Sequence, residues 1–147
     1  MKKALITIIV LIAVCIAYPY LKFMLLSDEG KISQKIKDAI HSAEVSSANG
    51  VAGILSEDFT AEELDKNNFK LLLLSLFKSY KKPAIETINL KITLAEGKKE
   101  ALAEYRGKVT ATPENSSTAQ SRVLEFKFYF KKYDKGGWLI YKYEEVM

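Results

Sequence analysis

The sequence predicts an α+β domain behind an N-terminal apolar helix, and three observations carry that reading. An uncharged run, Ala4 to Leu21, follows Met1-Lys2-Lys3. Apolar residues then recur at steps of three and four as far as Lys82, and from Ile85 the repeat shortens to two, the change expected where helices give way to strands. Helices first and an antiparallel meander afterwards is the order of a sheet with helices on one face. With 147 residues, 48% of them apolar, and only three Pro and seven Gly, the composition suits one compact domain and excludes collagen-like or wholly disordered chains.

At about 1.5 Å per residue, Ala4 to Leu21 reaches roughly 27 Å, close to the roughly 30 Å of bilayer hydrocarbon. Residues 1–26 are therefore expected to form a signal anchor whose residues 4–21 cross the membrane. Lys22 would snorkel at the far interface, with Tyr18 and Tyr20 at headgroup level. Lys2 and Lys3 favour a cytoplasmic N-terminus, which places residues 27–147 outside the cytoplasm in a single-pass cell-membrane protein. The alternative is a cleaved signal peptide that removes residues 1–17 and leaves a secreted or periplasmic product. Cys15 and Ala17 make a poor small-residue cleavage site, and apolar sequence continues after it through Phe23, Met24, Leu25 and Leu26. Acylation of Cys15 would need a small residue before it, where Val14 stands.

The net charge of +4 divides unevenly. Residues 1–26 contain Lys2, Lys3 and Lys22 and no acid, leaving 19 basic against 18 acidic side chains in the rest. That part is nearly neutral, and Arg106 and Arg122 are its only arginines, so no field for nucleic acid is present. Cys15 is the only cysteine and His41 the only histidine, which excludes an intrachain disulfide and every zinc pattern built on paired imidazoles. No cofactor or metal motif occurs.

The first domain helix starts at Ser27-Asp28-Glu29, a cap followed by first-turn acids, and presents Ile32, Ile36, Ile40 and Ala43 on one face. Asn49-Gly50 is expected to end it. Val51, Ile54, Leu55 and Phe59 predict a short amphipathic turn or two. Thr60 and Glu63 form a capping box for a long helix, Ala61 to Lys82, ended by Pro83. Its middle, Leu71 to Leu74 with Leu76 and Phe77, is apolar on more than one side and predicts a helix enclosed by other layers.

Four strands follow. Ile88, Leu90, Ile92 and Leu94 alternate with polar residues. A Gly97 turn leads to Ala101–Ala111, where Ala101, Ala103, Tyr105, Gly107 and Val109 share a face. After a polar loop, Arg122–Tyr133 places Leu124, Phe126, Phe128 and Phe130 together. Asp134-Lys135-Gly136-Gly137 turns the chain into Trp138–Val146.

This element order, the Val51–Phe59 segment between helices and the Gly136-Gly137-Trp138-Leu139-Ile140 stretch resemble the nuclear transport factor 2-like superfamily over roughly Lys31 to Val146. The resemblance implies a cone of curved antiparallel sheet, four-stranded or larger, over helices. It also implies a homodimer through the exposed sheet face, for which Leu102, Val123, Tyr129, Tyr141 and Tyr143 are the outward apolar candidates.

Function divides two ways. A filled cone makes the chain a non-enzymatic binding or scaffold domain of the cell envelope, working with itself or with an envelope protein partner. An apolar cavity with a few convergent polar groups makes it a small-molecule carrier, or an isomerase- or dehydratase-like enzyme of the kind the resemblance includes. The candidate ligand-binding residues are Tyr105, Arg106, His41 and Trp138. His41 sits at the edge of an apolar helix face, with Lys37 and Val45 four residues away and Asp38 and Glu44 three away, so no carboxylate stands at the four-residue spacing to orient it as a base.

Overall fold

A computed structural model describes residues 2–24 and 27–146, with side chains over 3–19 and 27–146. The elements are α1 (Lys2–Met24), α2 (Asp28–Glu44), α3 (Ala48–Ala52), β1 (Leu55–Ala61), β2 (Leu64–Asp65), α4 (Lys66–Ser79), β3 (Tyr80–Leu94), β4 (Glu100–Pro113), β5 (Gln120–Tyr133) and β6 (Gly137–Val146). The strands form one six-stranded sheet in the order β2-β1-β6-β5-β4-β3. β1 runs parallel to β6 and every other pair is antiparallel.

α1 is helical as the apolar run requires, and its side chains from Leu5 to Tyr18 are largely exposed. Among the described residues no helix is long and apolar enough to cross a membrane. The expected span runs to Leu21, and the side chains of Tyr20 and Leu21 lie outside the described ones. The fold thus supports the α+β domain and leaves the anchor unsupported.

α2 begins as expected, with Ser27 Oγ accepting from Gly30 N at 3.2 Å. It stops at Glu44, five residues before Asn49, because Ser46 turns left-handed at φ 56° and Ser47 caps α3. Gly50 is no stop signal: it lies inside α3, where a Cβ would collide with the side chain of Ser42 on α2. The glycine allows the two helices to touch.

The expected helical turn over Val51–Phe59 is instead largely strand β1, and the expected capping box is a hairpin. Thr60 pairs with Asp65 and Ala61 with Leu64, while Glu62 takes φ 54° between them. Asp65 caps α4 by accepting from Asn68 N at 2.8 Å, so the long helix starts at Lys66 and not at Ala61. These two strands enlarge the four expected from sequence to six. Pro83 falls within β3, an edge strand, where its missing N–H leaves no ladder bond unmade.

The core lies where α2 crosses the sheet. Ile32 and Ile36 pack with Leu55, Phe59, Ala101, Ala103, Phe130, Trp138 and Ile140. Two bulges change what faces it. One between Thr87 and Asn89 displaces Ile88 from the inner row and leaves it half exposed. Another, at Tyr129/Phe130, leaves Tyr141 without a ladder partner, so Ile140 and Tyr143, three apart, both face inward. Tyr143 therefore packs with Phe59, Phe69 and Phe126 at centroid distances of 6.2, 5.5 and 5.9 Å and is not one of the outward residues expected from the sequence.

α4 also departs from expectation. It touches the core through Phe69, 5.2 Å from Phe59, yet none of its residues is buried. The leucine run is not enclosed.

Candidate functional site

The inner face of β4 reads Ala101, Ala103, Tyr105, Gly107, Val109 and Ala111, and the interior changes character along it. The two alanines sit in the closed core. Val109 and Ala111 wall an open cleft of about 760 Å³, within the range of small-molecule sites. Tyr105 stands at the boundary. Its hydroxyl lies 3.2 Å from Thr87 Oγ1, and its ring folds back over Gly107, where a Cβ would strike it.

Leu76 and Phe77 of α4 form one wall of the cleft and Leu124 and Phe126 of β5 another. Tyr80, Pro83 and Ile85 of β3 close the side. The polar groups are Gln120, Ser121 and Arg122 at the start of β5 and Glu145 of β6. Arg122 Nη2 lies 3.9 Å from Glu145 Oε1 with side chains 79% and 47% exposed, a solvated pair of little energetic weight. Behind the lining, Tyr143 packs 5.9 Å from Phe126; burial pushes its hydroxyl above its ordinary pKa, and the charges of Glu62 and Glu145 act in the same direction. That phenol stays protonated at neutral pH and can donate a hydrogen bond.

The four residues expected from the sequence do not converge here. Tyr105 belongs to the buried core beside the cleft and does not line it. Arg106 projects from the opposite sheet face and pairs with Glu125 at 3.2 Å, as the alternation of a strand demands for a neighbour of Tyr105. His41 is exposed on α2, whereas the α2 residue lining the cleft is Ala43, two positions on and thus about 200° round the helix. Trp138 is fully buried at the closed end, where Nε1 donates to Asp28 Oδ1 at 3.1 Å. Arg122 was legible in the sequence: it has the same parity as Leu124, Phe126 and Phe128, and the alternation extends to it. Glu145 was hidden by the bulge.

No acid–base pair is held rigidly in the cleft, and no cluster of three or more His, Cys, Asp or Glu side chains occurs among the described residues. The arrangement can enclose an apolar body and hydrogen-bond it at the rim.

No family model matches the chain, and no curated protein matches it. Solved structures do. A nuclear transport factor 2-like superfamily protein from Salmonella enterica serovar Typhimurium superposes with a TM-score of 0.70 at 14% identity, over 79% of this chain and 87% of that one. A nuclear transport factor 2-like protein with a cystatin-like fold from Novosphingobium aromaticivorans gives 0.65 at 18% identity, over 87% and 86%. A candidate scytalone dehydratase from the same species gives 0.69 at 13%, over 79% and 82%. At these identities the likeness shows the fold alone. The chain has the nuclear transport factor 2-like fold, helices packed on a curved six-stranded sheet.

Proposed function

We propose that this chain is a membrane-anchored, non-enzymatic binding domain of the cell envelope. In this reading residues 4–21 span the membrane, residues 27–147 lie outside the cytoplasm, and the cleft between α4 and the sheet is the binding surface. The observation that carries the reading is the content of that cleft, in which apolar walls surround a single solvated ion pair, Arg122–Glu145. An apolar molecule entering it gains roughly 25 cal/mol per Å² removed from water, and no positioned base stands ready to transform it.

The test uses the full chain in lipid nanodiscs and the dye anilinonaphthalene sulfonate, with empty nanodiscs subtracted. Saturable enhancement with the wild type, reduced at least about tenfold by Phe126→Trp, which fills the cleft, is the expected result. Equal enhancement in the variant, at unchanged melting temperature, would overturn the cleft as the binding surface. Resistance of the full chain to alkaline extraction from membranes tests the anchor separately.

A second reading, an isomerase- or dehydratase-like enzyme, rests on the raised Tyr143 phenol beside Glu145 and on the neighbour described as a candidate dehydratase. Activity on any substrate that Tyr143→Phe abolishes without weakening dye binding would favour it. For the partner we propose a second copy, or an envelope protein, on the outer sheet face of Leu102, Val123, Tyr129 and Tyr141. Light scattering of the detergent-solubilised chain distinguishes monomer from dimer.

A further inference from the structure

The cleft accounts for only part of α4. Leu76 and Phe77 line it, but Leu71, Leu72 and Leu74 are 62%, 42% and 41% exposed. A helix with leucines on every side is ordinarily covered, and a contiguous apolar patch on a surface marks a contact.

The charges around the patch indicate with what. From Lys66 to Ile85 the chain carries Lys66, Lys70, Lys78, Lys81 and Lys82 and no acid. Lys66 is held by Glu57 at 2.9 Å, and Lys81 reaches the Glu114 carbonyl at 3.4 Å. The lysines bracket the leucines along the chain. Two copies meeting across α4 would set these lysines against each other, so the patch is poorly suited to self-association. An anionic layer suits both features, because apolar side chains enter the headgroup–acyl boundary while flanking lysines meet phosphates. α1 ends at Met24 and α2 begins at Asp28, four residue steps that reach at most about 14 Å, so the start of α2 is tethered close to the end of α1.

We propose that the outer face of α4 lies against an anionic lipid surface, with Leu71, Leu72 and Leu74 as the inserting side chains. The proposal rests on the reading of α1 as an anchor, and the experiment is chosen so that the two can fail independently. The full chain carrying Cys15→Ser and Leu72→Cys is labelled with the polarity-sensitive dye NBD and reconstituted into phosphatidylcholine vesicles with or without phosphatidylglycerol. A blue shift of NBD emission and quenching by spin-labelled lipid are expected, stronger with phosphatidylglycerol and weakened by salt. The same dye at Lys108→Cys, on the opposite sheet face, should remain in water. In a separate preparation, native Cys15 is probed with a membrane-impermeant thiol reagent.

Water-like emission at position 72 with Cys15 protected overturns the lipid contact and leaves the anchor standing. Lipid quenching at position 72 with Cys15 reactive overturns the anchor and leaves the contact. A blue shift without lipid quenching means that a protein surface covers the helix, which also overturns the proposal.

Discussion

Trp138 Nε1 donates to Asp28 Oδ1 at 3.1 Å, tying the first residue of α2 to the start of β6. Lys132 Nζ reaches the same oxygen at 3.2 Å. Asp28→Ala leaves the indole N–H buried without an acceptor, and the chain should lose about 1–3 kcal/mol, read as a lowered denaturation midpoint. Asp28→Asn, which keeps an acceptor, should lose less.

The hydrogen bond from Trp138 and then that from Lys132 hold the Asp28 carboxyl below its usual pKa. Hydrogen bonds from Ser56 and Tyr133 do the same for Asp58. A carboxyl whose folded-state pKa is depressed contributes stability that is present above its unfolded value and lost as pH falls through the folded one. Melting temperature should therefore drop steeply below about pH 4, and in Asp28→Asn the drop should be shallower. An identical acid limb in the two proteins would refute the assignment.

Gly107→Ala drives a Cβ into the Tyr105 ring and should cost about 1–3 kcal/mol. Tyr105→Leu in the same chain should recover part of that loss, giving a coupling energy in a double-mutant cycle. Additive effects would mean that the close approach of ring and glycine does not limit the strand.

Closed core and open helix should respond oppositely to truncation. Phe130→Ala removes a fully buried ring and should cost about 3–5 kcal/mol. Leu71→Ser, at an exposed site, should stay within about 0.5 kcal/mol while weakening any contact made by α4. A large loss from Leu71→Ser would show that α4 packs more tightly than its exposure indicates.

The parts of the fold legible in the sequence are those where one period runs unbroken. Ile32 and Ile36 of α2 were readable at helical spacing, and Ala101, Ala103 and Tyr105 at strand spacing, because neither run contains an inserted residue. Where a single residue shifts the phase, the pattern misleads. Glu62 in a left-handed turn converts an apparent helix start into a hairpin, and the bulge beside Phe130 brings Tyr143 inward and with it Glu145. The candidate site suffered most: of its polar rim only Arg122 falls in the expected strand, in phase with Leu124 and Phe126, whereas Gln120 reads as the end of a polar loop and Glu145 is brought in by the bulge. The exposure of α4 was illegible for another reason: apolar periodicity reports that a surface should be covered, and not by what.

The parallel pairing of β1 with β6 has a consequence for how the domain is held together. An early strand and a late one are neighbours, and α2 is fastened to the same late strand through Asp28 and Trp138. The segment 137–146 therefore carries a disproportionate share of the long-range connections: it pairs with β1 on one side and β5 on the other and anchors the first turn of α2. Removing it would leave β1, β2 and α2 without the strand to which they are fastened.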